Sequence, residues 1–343
     1  MRTLVIGGAG FIGSNLAYEH LKRRDDVTIL DNFSRKGAEL NLKWLKSISP
    51  HMKVIRADIR YHQSQLEKAV SKADLIYHMA AQVAVTTSVQ DPRMDFEMNA
   101  LGTFNVLEAI RKKGEDPILF FASTNKVYGK MEDLSIHESV TRYQFPASLK
   151  NGIDENQGLD FYSPYGCSKG AADQYVLDYA RIYGLRTVVF RQSCIYGSRQ
   201  FGIEDQGWIA WFIIALVLNK PITIYGDGKQ VRDVLYIEDL VRAFQLARKA
   251  ISRTKGQAFN IGGGPHYTLS VWKEFCPILE KVMGKKIKAS YDQARPGDQL
   301  VYVSNIKKAK KYFGWEPQIP VEKGIHQLYR WVLENKNLLM KIF

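Results

Sequence analysis

The chain has 343 residues, 45% hydrophobic and 24% charged, with a formal net charge of +13. That length can bury the core of one large domain or two closely joined ones, and the composition is that of a soluble globular protein. Three scattered cysteines without a C-x-x-C and seven histidines without ligand spacing argue against a disulfide scaffold or a metal centre. The excess of positive charge has no nucleic-acid motif beside it, so it fits a solvated surface or acidic small molecules.

From the N-terminus, "TLVIG", "VTILD", "KVIRAD", "DLIYHMA" and "ILFFAS" read as strands that are apolar on both faces. Between them "FIGSNLAYEHLKRR", "AELNLKWLKSI", "SQLEKAV" and the long "PRMDFEMNALGTFNVLEAIRKK" have helical spacing. Buried strands alternating with helices call for a doubly wound parallel sheet, an α/β fold of the Rossmann type. A further helix, "SPYGCSKGAADQYVLDYARIYG", leads to another strand, "RTVVFRQS". The apolar run "WIAWFIIALVL" is too short to span a bilayer and suits a core or subunit-contact helix. Beyond it come shorter strands ("ITIYGDG", "QAFNIGGG", "IKASY") and helices near "IEDLVRAFQLARKA", "LSVWKEFCPILEKVMG" and "VEKGIHQLYRWVLEN". The expected organisation is a dinucleotide-binding domain over 1–190 and a smaller α/β substrate region over 191–343, interleaved with the first. No signal peptide precedes the first strand, and a reducing cytoplasm is expected.

"LVIGGAGFIGSNLA" places Gly7, Gly8, Gly10 and Gly13 between a strand and a helix. Glycines at this spacing give a tight turn, close approach to a pyrophosphate and tight helix packing, with the helix amides aimed at the phosphates. Phe11 and Ile12 open that helix. Asp31 ends the second strand, where a carboxylate holds ribose hydroxyls and repels a 2'-phosphate, so NAD is expected rather than NADP. Arg35 close behind leaves room for the opposite preference, and Asn32 and Ser34 share the same turn. Asp58, followed by Ile59, ends the third strand and either reaches the adenine or caps a helix.

Ser163-Pro164 reads as a helix cap with proline in the first turn, which sets Tyr165 and Lys169 one turn apart near the positive helix end. Together with Ser123 and Thr124 at the end of "ILFFAST" they form a proton-transfer set. To serve as a base near neutrality a tyrosine must fall roughly 3 units from about 10, some 4 kcal/mol, and the neighbouring lysine, a cationic oxidised nicotinamide and the helix terminus together are expected to supply this.

With "HMAAQ", "NALGTFNVLEA", "VYG", "YGDGKQVRDVLYIEDL" and "RPGDQ" added, the chain resembles the extended short-chain dehydrogenases that modify nucleotide sugars, over nearly its whole length. The resemblance implies that Ala80, Ala81 and Gln82 line the nicotinamide side, that Asn99 braces the sheet end, and that Arg232, Arg295 and Asp298 hold the nucleotide diphosphate. Tyr225 is counted with them. It also implies a homo-oligomer, dimer or tetramer, formed through helices of the first domain. Sugar 4,6-dehydratases of the family carry Asp-Glu after the threonine; Asn125-Lys126 stands here instead, which favours an epimerase that oxidises and re-reduces one carbon. The stretches "STNKVYG" and "YGSRQFGIEDQGW" are similar to the branch that inverts C2 of CDP-paratose, with Arg199, Gln200 and Gln206 as sugar or phosphate contacts or as structural loop residues. A UDP-glucose/UDP-galactose 4-epimerase is the alternative, and a non-catalytic NAD-binding sensor a remote one. No nucleic acid or membrane partner is expected.

Overall fold

In a computed structural model, which describes residues 1–114, 116–295 and 298–343, seven parallel strands make the central sheet. They are β1 (Arg2–Ile6), β2 (Asp26–Asp31), β3 (Lys53–Arg56), β4 (Leu75–His78), β5 (Ile118–Thr124) and β6 (Arg186–Gln192), followed much later by Gln257–Ile261. Three short strands form a second, smaller sheet with one another and with Val301–Tyr302: β7 (Cys194–Tyr196), β8 (Val231–Tyr236) and, after β9 (Gln257–Ile261), β10 (Thr268–Ser270). The order of the large sheet is β9-β6-β5-β4-β1-β2-β3, so the sense in which successive strands are laid down reverses between β1 and β4. Ligands of such sheets sit at that switch point, outside the carboxyl ends of the strands.

Alternate residues of each strand bury on opposite faces because the side-chain period is two. Val5, Ile29, Tyr77, Phe120 and Phe190 face one layer, with Leu16 and Phe244 from its helices. Leu4, Ile6, Leu30, Ile76 and Val189 face the other, with Val106, Leu107 and Val176. Both faces are covered, which is why the strands read as continuous apolar runs. The apolar helix Trp208–Val217 is buried through Ile209, Ala210 and Ile213–Ala215, so it contributes to the core. Among the described residues no helix is long and apolar enough to cross a membrane.

Two departures from the sequence reading bear on the site. The long helix expected from Pro92 is broken: Pro92–Phe96 is followed by one wide turn, Glu97–Leu101, before the helix resumes at Gly102–Lys113. That widening turns Asn99 inward; such turns concentrate at functional places. Secondly, "QAFNI" does not belong to a separate smaller sheet. It is β9, paired along its length with β6 as the last strand of the central sheet.

Candidate active site

The turn after β1 closes on itself through glycine. Gly7 has φ +79°, and a Cβ there would lie 2.5 Å from the Ala80 nitrogen; one at Gly13 would lie 2.1 Å from the Gly7 carbonyl oxygen. Only glycine lets the turn, the helix Phe11–Lys22 and the loop after β4 approach so closely. Gly10 precedes that helix, and Phe11 and Ile12 form its first turn and pack partly into the core. Asp31 accepts hydrogen bonds from the Ala9 nitrogen (2.9 Å) and the Phe33 nitrogen (2.8 Å), which hold its carboxylate at the mouth of the turn. Burial raises its pKa, partly offset by those two bonds.

A groove runs from these glycines along Asn32, Ser34 and Arg35 to Asp58 and Ile59, with Ala80 and Ala81 on its other wall. Asn32 donates to Asp58 (2.8 Å) and accepts from the Ser34 hydroxyl (2.8 Å). Asp58 is gripped by the Arg60 guanidinium at 3.0 and 2.9 Å, and its carboxyl is held down to about 2: burial works upward, and the Arg60 and Asn32 hydrogen bonds outweigh it. It caps its own turn at the Arg60 nitrogen, whereas the next helix starts only at Gln63, so the helix-cap alternative is set aside. A cradle with no space for Cβ atoms, the first amides of a helix and a fixed carboxylate fit a dinucleotide. A larger cavity of about 620 Å³, bordered by Gln174, Lys255 and Lys308, lies elsewhere, and none of the candidate site residues lines it.

Beyond the end of the groove, Thr124 ends β5, and its hydroxyl accepts from the Lys126 nitrogen (3.2 Å). The Ser163 hydroxyl accepts from the Gly166 nitrogen (3.1 Å) and starts the helix Pro164–Tyr183 as the sequence predicts. Its first turn presents Tyr165, 7% exposed, with Thr124 close enough to act on its phenol. Lys169 donates to the Ala122 carbonyl oxygen (2.5 Å) and lies 4.1 Å above the Phe121 ring. The side chains by themselves do not lower the tyrosine. Burial pushes Tyr165 up to about 12, with Thr124 pulling the other way and Asp95 adding to the rise. Burial also pulls Lys169 down to about 7 against the upward influence of Asp173 and Asp95. Removing water penalises phenolate and ammonium alike.

Two neighbours behave differently from the sequence reading. Ser123 alternates with Thr124 along the strand and so points the other way, donating to Asp173 (2.7 Å). Asp173 also takes two bonds from Arg191, at 3.0 and 2.9 Å, in a fully buried ion pair. Gln82 is buried, and a buried amide needs partners: its side chain turns to the Ala84 carbonyl (2.7 Å) and Asp95 (2.9 Å), away from a cofactor role. Asn99 accepts from the Gln82 nitrogen (2.9 Å) and donates to Ser168 (3.0 Å).

Among the residues expected on the sugar side, Arg232 from β8 is buried and bonds Asp298 at 2.5 Å; the Lys126 ammonium lies 4.0 Å from the same oxygen. Burial, followed by the Arg232 charge, pulls Lys126 down to about 8. Arg295 stacks on Tyr225 at 3.8 Å and pairs with Asp205 at 3.1 Å, while the Tyr225 hydroxyl donates to Glu204 (3.1 Å). Pro296 and Gly297 of "RPGDQ" lie outside the described residues. Arg199 is not part of this cluster: with φ +72° it sets its guanidinium 4.0 Å from the Trp44 ring and 5.9 Å from that of Trp331, and burial pulls it down to about 10. The structure favours its loop role. Gln200 and Gln206 each keep a buried amide oxygen with no partner among the described residues, and so retain capacity to accept a bond. Asn125, which donates to Gln299 (3.4 Å), and Lys126 complete the wall. The sequence reading missed Asp95, Asp173 and Arg191. An arginine inside the apolar "TVVFRQS" was the available signal, since a buried cation requires a carboxylate.

Comparison with known proteins accords with this geometry. The family described as GDP-mannose 4,6 dehydratase matches residues 4–328. The chain is 45% identical over 338 residues, 96% of its length and 99% of the relative's, to CDP-paratose 2-epimerase of Salmonella typhi. The chain belongs to the extended short-chain dehydrogenase family of NAD-dependent nucleotide-sugar epimerases and dehydratases. A putative UDP-glucose 4-epimerase of Methanocaldococcus jannaschii is 33% identical over 97% of this chain and 98% of its own. The crystal structure of UDP-glucuronic acid 4-epimerase from Bacillus cereus, in complex with UDP-glucuronic acid and NAD, superposes with a TM-score of 0.83 at 28% identity, covering 97% and 99% of the two chains. Family members are enzymes with a Rossmann sheet like the one described above.

Proposed function

We propose that the chain inverts C2 of CDP-paratose, giving CDP-tyvelose, by transient oxidation to a keto-sugar. The observation that carries this reading is the chain-long 45% identity to the Salmonella typhi 2-epimerase. The absence of carboxylates at Asn125 and Lys126 supports it, because loss of water needs an acid and a base there.

Gly7, Gly10, Gly13 and Asp31 would hold NAD, with Ala80, Ala81 and Ile59 as the apolar wall. When bound, NAD supplies the hydride acceptor, the donor for its return, and a positive charge that favours a phenolate. Tyr165 takes the proton of the sugar hydroxyl, Thr124 holds that oxygen, and Lys169 supports the phenolate. Ionising a phenol at about 12 near pH 8 costs roughly 5 kcal/mol, so the cofactor's charge and an ammonium at Lys169 are both needed. Arg232 and Arg295 would grip the diphosphate, since guanidinium forks match phosphate oxygens. Lys126 would face the sugar.

Exposed Phe104, Tyr175, Ile182 and Tyr183 on the helices Gly102–Lys113 and Pro164–Tyr183 support a homo-oligomer formed through that face. Three free cysteines suit a reducing cytoplasm.

The test is to incubate the protein and NAD with CDP-paratose and, separately, with UDP-glucose, following stereochemistry by NMR. Inversion at C2 of the CDP-sugar is expected. Inversion confined to C4 of the UDP-sugar would replace this reading with the 4-epimerase one, which the Methanocaldococcus jannaschii relative supports.

A further inference from the structure

We propose that Asn41 is a positioning residue for the cofactor: it fastens a strap, residues 198–201, across the NAD-binding turn, and the strap slows the release of NAD. The inference rests on the placement of NAD against Gly7, Gly10 and Asp31, and it holds whichever sugar carbon is inverted.

Asn41 is 1% exposed and lies one turn into the helix Ala38–Ile48. Its Nδ2 donates to the Ala9 carbonyl oxygen (3.1 Å) and to the Arg199 carbonyl oxygen (3.4 Å). Both N–H groups of the amide are thereby engaged, while its buried Oδ1 has no partner among the described residues. Ala9 stands inside the cofactor turn, and its nitrogen already donates to Asp31 (2.9 Å). With its N–H on Asp31 and its C=O on Asn41, Ala9 is held from both sides, and the glycines beside it keep the shape a pyrophosphate needs.

The strap follows β7 and is pinned at three further points. Asn15, in the helix that leaves the cofactor turn, donates to the Ser198 carbonyl oxygen (3.1 Å). Arg199 has φ +72°, a conformation that an L side chain rarely keeps unless something holds it. Its guanidinium lies 4.0 Å from the ring of Trp44, one turn beyond Asn41 on the same helix. Phe201 covers Gly37, where a Cβ would lie 2.1 Å from the ring, and it meets Trp331 edge-on with ring centres 5.7 Å apart.

These attachments share one feature. Asn15 belongs to the helix that follows the turn after β1, and Gly37, Asn41 and Trp44 follow the loop after β2. That turn and that loop supply Gly7, Gly10, Asn32, Ser34 and Arg35 to the groove. Neither can draw back from NAD without breaking contacts to the strap. Plain packing would stabilise the protein equally with and without the cofactor, whereas a fastening acts on the cofactor's departure.

The test follows release directly. Protein loaded with NAD is mixed with an excess of alcohol dehydrogenase and ethanol, which reduce each NAD set free, and near-ultraviolet absorbance records it. Asn41→Ala removes both donors; Arg199→Gly tolerates the positive φ but takes the guanidinium from Trp44. Release should quicken about tenfold in Asn41→Ala, the scale of one lost buried hydrogen bond, and should also rise in Arg199→Gly. The gain in Tm on binding NAD should shrink in both. Release at the wild-type rate in either variant, or a Tm lowered equally with and without NAD, would overturn the proposal. Should Asn41→Ala not fold, Arg199→Gly gives the same two readings. The placement of NAD fails separately: Gly13→Ala retaining NAD as wild type does would remove it, while the release rates still decide about the strap.

Discussion

Replacing Asp173 by alanine would strand a guanidinium. Arg191 is almost wholly buried and gives two of its hydrogen bonds to this carboxylate; the Ser123 hydroxyl gives a third. Breaking a buried pair from one side typically costs about 3–5 kcal/mol, because the remaining charge has neither water nor partner. For a chain of 343 residues the unfolding entropy is about 0.7 kcal/mol per kelvin near the midpoint, so Tm should fall by about 4–7 °C. Calorimetry of the apo-protein at neutral pH measures this. Replacing both partners, Asp173→Leu with Arg191→Met, should recover most of the loss, since well-packed apolar groups commonly substitute for a buried pair. A single variant melting within about 1 °C of wild type, or a double variant melting no higher than the single one, would refute the argument.

Three further outcomes follow from the geometry. Gly13→Ala puts a Cβ against the Gly7 carbonyl, so the protein should purify without NAD, as absorbance after acid release will tell; a full complement of NAD would contradict the cradle. Asp31→Ser removes the carboxylate that repels a 2'-phosphate and should weaken NAD binding about 10- to 100-fold while improving NADP binding, read by calorimetric titration. Phe104→Glu places a charge in the exposed aromatic face beside Tyr175 and should leave monomers in sedimentation, whereas an unchanged assembly would move the interface elsewhere.

What could be seen in the sequence was local and repetitive. The strands β1, β2 and β5 announce themselves because burial on both faces leaves no polar alternation, and Gly7, Gly13 and Asp31 lie within one strand–turn–helix unit. Ser163-Pro164 set the register of Tyr165 and Lys169 for the same reason. Pairings across long sequence separation were hidden. Nothing in "QAFNI" says that it will lie beside residues 188–192, and nothing in "PRMDFEMN" says that Asp95 will meet Ser168, 73 residues away. Side-chain direction was hidden too. Gln82 and Ser123 have the right chemistry for a cofactor wall and are turned from it by nearer partners. The surroundings of Tyr165 were hidden as well, because the sequence shows a lysine one turn away but not the loss of water around both groups.

The late arrival of β9 sets a schedule for biosynthesis. Strand β6 is the open margin of the nascent sheet until its neighbour leaves the ribosome about 65 residues afterwards, an interval of roughly 3–13 s at translation rates of 5–20 residues per second. During that time the unpaired amides and carbonyls of Arg186–Gln192 are a template for any other extended chain. Nonsense fragments ending between these two strands should therefore clump or be degraded, whereas those extending past Ile261 should have closed the margin.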